Sequence, residues 1–321
     1  MIRITHVLCA VDFSECSRSA LACAVRVAGW YSARVTAFHV VAPSAKIAFL
    51  PDPSSLTLPA TDERGLKDRL REFVGETSGS VPVQMEIHEG DACQDIVDRA
   101  TGGGADLIVM GAHGRTPIER FVFGSVAECV LSRATCPVLV CRTDPDDHSG
   151  SGGMAAGRIL CAIDFSKASL AALQYAVTLA KQAGAQVTVL YLIETLPESV
   201  RIDDALFAWP AHLRPPLRDA AGWLYSAITI TPDWDARLEE EHVVSSENPS
   251  SAILDIARDQ GFDLIILGAR GRNPLTTSLF GSTAERVVRA ATCPVLVITV
   301  PPSSGANAFA TSATCSKEAM P

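Results

Sequence analysis

Two glycine loops carry the spacing in this chain best suited to chemistry. Gly111-Ala-His113-Gly114 is followed by nine residues and then Gly124-Ser125; Gly268-Ala-Arg270-Gly271 is followed by nine residues and then Gly281-Ser282. Glycine permits positive φ and the close approach of a bulky anion, and the N–H groups of a helix starting at Ser125 or Ser282 can bind phosphate oxygens, with the serine hydroxyls as further donors. A helix N-terminus contributes about 0.3 to 1 kcal/mol toward an anion, and up to ~2 when partly buried. Useful affinity therefore needs several N–H bonds plus contacts to base and ribose. Three glycines at fixed spacing arise by chance in about one chain in ten of this size. Tight turns needed only for packing would look the same.

The second feature is a carboxylate at the end of an otherwise apolar strand, Asp12 in Val11-Asp12-Phe13-Ser14 and Asp164 in Ile163-Asp164-Phe165-Ser166. Beyond the carboxyl end of a parallel strand such a group could bind ribose hydroxyls or an adenine amine. It could equally share a helix cap with Ser14 or Ser166.

These residues come in pairs because the chain repeats itself. Residues 8–14, Leu-Cys-Ala-Val-Asp-Phe-Ser, return at 160–166 with one change. Asp106-Leu-Ile-Val-Met-Gly and Ala134-Thr-Cys-Pro-Val-Leu-Val return from Asp263 and Ala291. The segment 143–157, TDPDDHSGSGGMAAG, cannot bury apolar surface and reads as a linker. The expected organisation is a first domain over 1–142, the linker 143–157, a second domain over 158–300 and a disordered tail over 301–321.

Within the first domain the periodicity predicts strands at Ile4–Val11, Arg34–Val41, Val83–His88, Leu107–Met110 and Val138–Cys141. Helices are expected from Ser14 to Gly29, around Asp62–Glu76, at Cys93–Thr101 and at Ser125–Arg133. The second domain repeats the strands at Ile159–Ile163, Val187–Ile193, about Leu238–Val244, Leu264–Leu267 and Val295–Ile298. Alternating strands and helices, with near-continuous Val/Ile/Leu runs, predict an α/β fold of two doubly wound, Rossmann-like domains, each with a five-stranded, mostly parallel sheet covered on both faces.

Composition narrows the function. The chain has 321 residues, 48% of them apolar and 20% charged, as expected of a packed globular protein. Its 27 basic and 36 acidic residues give a net charge of −9 with no basic run, which argues against a nucleic-acid or membrane partner. No apolar stretch reaches the roughly 18 residues of a membrane span, and no signal peptide is visible. The ten cysteines contain no CxxC pair and no ligand spacing. They are expected to be reduced, mostly buried small hydrophobes in a cytoplasmic protein, with Cys16 and Cys23 sharing a packed helix face. The histidines at 6, 39, 88, 148, 212 and 242 show no ligand spacing, so no metal site is expected beyond Mg²⁺ carried by a nucleotide.

Taken together, the strand ending Val-Asp-Phe-Ser, the Gly-x-x-Gly-x9-Gly-Ser loop and the final Cys-Pro-Val-Leu-Val strand resemble the universal stress proteins, in particular their tandem, two-domain, ATP-binding kind. The resemblance covers both halves outside the linker, the excursions 42–59 and 195–235, and the tail. It implies that adenine and ribose are held by Asp12 and Val40, and the phosphates of ATP, ADP or AMP by Gly111, Gly114, Gly124 and Ser125. In the second half the same roles fall on Asp164, Leu192, Gly268, Gly271, Gly281 and Ser282. His113 and Arg270 lie inside the loops. Arg115 and Arg272 follow the second glycine, where a cation could offset phosphate charge. It further implies that the two halves pair through their last strands, Val138–Cys141 against Val295–Ile298, as an internal pseudo-dimer. Trp209, Trp223 and Trp234 in the long second-half excursion could lid or fill the second site, which makes the first the better candidate.

Three functions follow. The leading one is a stress-response regulatory module whose bound adenine nucleotide sets a conformation read by a protein partner. A slow ATPase or nucleotidyl-transfer enzyme is the alternative, with Asp12, His113 or Glu128 as candidate bases, though the chain lacks the GxxxxGK[ST] loop and no catalytic residue is assigned. A nucleotide-free scaffold is the third. A flavin or nicotinamide site is set aside, because Asp12-Phe13-Ser14 stands where a GxGxxG would be needed. Association of two chains into a homodimer is left open.

Overall fold

The protein was analysed as a computed structural model that describes residues 2–42, 63–79, 81–114, 123–142, 157–194, 238–246, 248–269 and 280–299. The linker, the tail, most of both long excursions with their three tryptophans, and His148 and His212 lie outside these residues.

The first half runs β1 (His6–Ala10), α1 (Glu15–Tyr31), β2 (Arg34–Val41), α2 (Glu63–Gly75), β3 (Val83–Glu89), α3 (Ala92–Gly102), β4 (Leu107–Gly111), α4 (Ser125–Arg133) and β5 (Val138–Cys141). The second half contributes β6 (Arg158–Ile163), α5 (Lys167–Ala183), β7 (Gln186–Glu194), β8 (Leu238–Ser246), α6 (Pro249–Asp259), β9 (Leu264–Gly268), α7 (Ser282–Ala290) and β10 (Val295–Ile298). The predicted strands are all present, with bounds shifted by a residue or two.

The ten strands form one sheet in the order β3-β2-β1-β4-β5-β10-β9-β6-β7-β8. Every neighbouring pair is parallel except β5 and β10, which run antiparallel with Val295, Leu296 and Val297 opposite Val140, Leu139 and Val138. The anticipated last-strand pairing is thus how the halves join. It covers the β5 and β10 edges of the two halves and leaves β3 and β8 as the outer strands of the joint sheet.

Alternation along the buried strands feeds two layers. Val7, Cys9, Leu107, Val109, Leu139 and Leu296 face the layer of α1, α2 and α5. Leu8, Ile108, Met110, Val138, Val140 and Val297 face that of α3, α4, α6 and α7. Each layer is continuous across both halves, so β5 and β10 sit mid-core with all eight residues buried.

Helix starts follow the capping residues. The Ser14 and Ser166 hydroxyls accept the N–H groups of Ser17 and Ser169, each at 3.1 Å, and Asp91 accepts that of Gln94 at 2.9 Å. One expected stop is displaced. Gly29 lies inside α1, which runs on to Tyr31 and ends at Ser32 in the left-handed region with φ 53°. The matching position after α5 is Gly184 with φ 74°.

The expectation of uniformly reduced cysteines is overturned at one pair. Cys93 on α3 and Cys129 on α4 form a disulfide with Cα atoms 6.0 Å apart. Thirty-six residues separate them, and only the side-by-side packing of two helices brings them together. Cys9, Cys16, Cys23, Cys141 and Cys161 are buried and outside any disulfide, as small apolar residues would be.

Candidate functional site

In each half the chain reverses its direction of travel across the sheet between its first and fourth strands. In open parallel sheets such a reversal is the place where ligands bind beyond the carboxyl ends of the strands. Ala10 pairs with Phe38 and Cys9 with Val109, so Asp12 lies level with Val40 on one side and Ala112 on the other. In the second half Ala162 pairs with Leu190, which levels Asp164 with the backbone of Leu192.

Asp12 is half-buried and takes part in the turn that starts α1. Its Oδ1 accepts the Ser14 N–H at 3.0 Å and the Ser14 hydroxyl at 2.6 Å. Asp164 accepts the Ser166 N–H at 2.9 Å in the same way. The capping reading is therefore realised, and it does not displace the other. A Cβ on Gly114 would lie 3.1 Å from Asp12 Oδ2, so the glycine loop returns to this carboxylate.

The residue between the aspartate and the serine is strained in both halves. Phe13 has φ 65° and Phe165 φ 63°, a conformation that costs a non-glycine residue about 1–2 kcal/mol. The Asp12–Ser14 turn and aromatic packing hold it there. Phe13 lies 4.5 Å from the His39 ring and edge-on to Phe73 at 5.6 Å, with the Arg69 guanidinium 4.5 Å over its face. Phe165 meets Tyr191 at 4.9 Å. His39 in turn donates from Nδ1 to the Val11 carbonyl at 2.6 Å, fixing the backbone just before Asp12. Strain of this kind persists at sites where a turn must present a side chain.

The loop glycines divide by role. None of those described has positive φ, so that part of the expectation fails. Gly111 is required by packing: a Cβ there would sit 2.8 Å from Cys16 Cβ and 3.0 Å from its carbonyl carbon, at the start of α1. Gly268 would clash at 2.8 Å with Ala168. Gly124 closes the loop by donating to the Ala112 carbonyl at 2.9 Å, and Gly281 to that of Ala269 at 2.8 Å. These two glycines are the N-caps of α4 and α7, and neither helix start has a side-chain cap. Ser125 and Ser282 are exposed at the first turn of each. Arg115, Arg270, Gly271 and Arg272 lie outside the described residues, as does the Leu192 side chain.

The sequence reading passed over Arg142, directly after β5. Its guanidinium donates to His113 Nε2 at 3.2 Å and to the carbonyls of Arg289 and Ala291 at 2.9 and 3.2 Å, at the end of α7. Burial, and then the Arg142 charge, hold the His113 pKa below its ordinary value. Because a guanidinium can only donate, Nε2 accepts, which assigns the proton of the neutral ring to Nδ1. Glu128 faces across the pseudo-dimer to Arg289 at 3.0 Å. The three candidate bases thus have separate partners: Ser14 for Asp12, Arg142 for His113 and Arg289 for Glu128. In the second half Thr299 stands where Arg142 does, its hydroxyl oxygen buried without a hydrogen-bond partner among the described residues. The two reversal points therefore differ. Among the described residues no group of three or more His, Cys, Asp or Glu side chains could hold a metal ion, and no helix is long and apolar enough to cross a membrane.

Comparison with known proteins agrees with this architecture. A universal stress protein of Mycolicibacterium smegmatis is 26% identical over 302 residues, covering 91% of this chain and 96% of that protein. Universal stress protein MJ0531 of Methanocaldococcus jannaschii is 36% identical over 133 residues, covering 40% of this chain and 76% of that one. A universal stress protein crystal structure from Archaeoglobus fulgidus superimposes with a TM-score of 0.65 at 20% identity, over 93% of this chain and 99% of that one, which speaks to the fold. The family model for the universal stress protein family matches twice, at residues 3–142 and 156–299, and the chain belongs to that family.

Proposed function

We propose that the first half binds an adenine nucleotide, ATP in the first instance, beyond the carboxyl ends of β1 and β4, and that the loaded chain acts as a regulatory module in a stress response. One observation carries the reading. Where the sheet reverses its winding, Asp12 is level with Val40 and Ala112, a Cβ on Gly114 would lie 3.1 Å from the Asp12 carboxylate, and Gly124, the N-cap of the side-chain-uncapped α4, bonds back to Ala112. Asp12 and Val40 supply a polar and an apolar contact for ribose and base, and the first turn of α4 supplies N–H donors and dipole for phosphate. Mg²⁺ would arrive with the phosphates. The nucleotide acts as a signal by favouring one conformer over another, and a protein partner reads the difference.

Calorimetric titration of the full chain with ATP, ADP, AMP and cyclic AMP tests this. Micromolar binding, about −8 kcal/mol, is expected for at least one of them. Asp12→Asn should weaken it about ten-fold or more by removing the charge that fixes ribose. Absence of heat with all four ligands would end the reading.

A further inference from the structure

We propose that Cys93 and Cys129 are a thiol-exchange site, opened by low-molecular-weight thiols and closed by low-molecular-weight disulfides, whose state tunes the first-half nucleotide site. The tuning rests on the nucleotide reading above; the exchange does not.

The bridge is an addition to the fold. The second half packs α6 beside α7 in the same way with Ser250 and Arg286 at the matching positions, where no disulfide can form. A universal stress domain therefore assembles without it, and opening the bridge should leave the first half folded.

The two sulfurs are unequal in a way that sets the direction of attack. Cys129 is half-exposed and lines an open cavity of about 360 Å³ together with Ser125, Glu128, Ser132, Phe280 and Glu285. Cys93 is 7% exposed and is the second residue of α3. An incoming thiolate reaches Cys129 Sγ, forms the mixed disulfide there and expels Cys93 as a thiolate. The start of α3 favours that anion and so makes it a good leaving group. A second small thiolate then attacks the small-molecule sulfur of the mixed disulfide, releasing Cys129. In sum, one protein disulfide and two small thiols give two protein thiols and one small disulfide. The two electrons come from the small thiols, and the reverse restores the bridge. The other described cysteines are poor competitors. Cys9, Cys16, Cys23, Cys141 and Cys161 are buried, and burial pushes the Cys136 and Cys293 thiols up to about 11 and about 12.

The link to the nucleotide is positional. Cys129 lies one helical turn from Ser125 on the same face of α4, so the bridge braces the helix whose first turn faces the phosphates. Removing the brace loosens that turn, and less preorganised donors bind more weakly.

The test uses the full chain, oxidised with glutathione disulfide and then titrated with reduced glutathione without denaturant. Alkylation with peptide mass mapping reads the cysteines, and circular dichroism reads the fold. Cys93 and Cys129 should become alkylated together while the five buried thiols stay unlabelled and the spectrum is retained. The oxidised form should bind ATP roughly three-fold or more tightly than the reduced form. The Cys93→Ser/Cys129→Ser double variant should match the reduced form and ignore glutathione. A bridge that opens only in denaturant, or whose opening unfolds the chain, overturns the exchange. Equal ATP affinities overturn the tuning. ATP binding to neither form counts against the nucleotide reading instead, with the exchange still decided by alkylation.

Discussion

The guanidinium of Arg142 holds His113 Nε2 at 3.2 Å while it caps the last carbonyls of α7, so one side chain ties the first-half glycine loop to a helix of the second half. Two results should follow from Arg142→Gln. The His113 pKa should rise toward 6.5 without reaching it, because the charge is gone but the burial, its larger cause, remains. The melting temperature should fall by an amount equivalent to about 1–3 kcal/mol, because the carbonyls of Arg289 and Ala291 lose a charged donor. NMR titration of the imidazole checks the first and calorimetric melting the second. An unmoved His113 titration would break the assigned link.

The same chemistry sets a pH dependence. His6 and His113 both have pKa values lowered in the folded chain, chiefly by burial and secondarily by Arg34 and Arg142 respectively. Above about 6.5 both states of the chain hold these rings neutral and the full stability is present. As pH drops below that, the unfolded chain takes up protons that the folded chain refuses, and stability declines until the lowered folded values are passed. Melting temperature should therefore fall between pH 7.5 and 5.5, and His113→Asn should flatten part of that slope. A melting temperature that rises on acidification through this window would contradict the assignment.

Gly111 and Gly114 look alike in the sequence and differ in the structure. Gly111→Ala forces a methyl against Cys16 at 2.8 Å and should cost about 1–3 kcal/mol of stability. Among the described residues Gly114→Ala meets Asp12 Oδ2 alone, at 3.1 Å, and should leave the melting temperature nearly unchanged while weakening nucleotide binding. Measuring melting and ATP affinity on both variants separates a packing glycine from a ligand-facing one. Equal loss of stability in the two would show that both serve packing.

The parts of this protein that were legible in the sequence are those written in local patterns. Buried strands are apolar runs, Ser14 and Ser166 precede their helices, and the repeat exposed β5 and β10 as a matching pair. What escaped depends on distance through space. Cys93 and Cys129 pair only because α3 and α4 lie side by side. Arg142 follows β5 like any loop residue, and its bond to His113 exists only once β5 is laid beside β4. The packing demand on Gly111 is hidden for the same reason: the atom that requires glycine belongs to Cys16, far away in sequence, and no spacing rule encodes it.

The end of α1 offers a comparison between the halves. Ser32 adopts φ 53° and Gly184 φ 74° at matching helix C-caps, each donating its N–H to the carbonyl four residues back, Ala28 and Ala180. A side chain is penalised in this region by contact between Cβ and the backbone, whereas glycine is not. The backbone bonds and helix geometry are the same, so the substitution isolates the conformational cost. Ser32→Gly should stabilise the chain by about 0.5–1 kcal/mol, less the added freedom glycine gives the unfolded state, and Gly184→Ala should destabilise it by about 1 kcal/mol. Denaturant melts of both variants beside the parent decide it. If Ser32→Gly instead lowers the midpoint, its side chain contributes a contact that outweighs the strain.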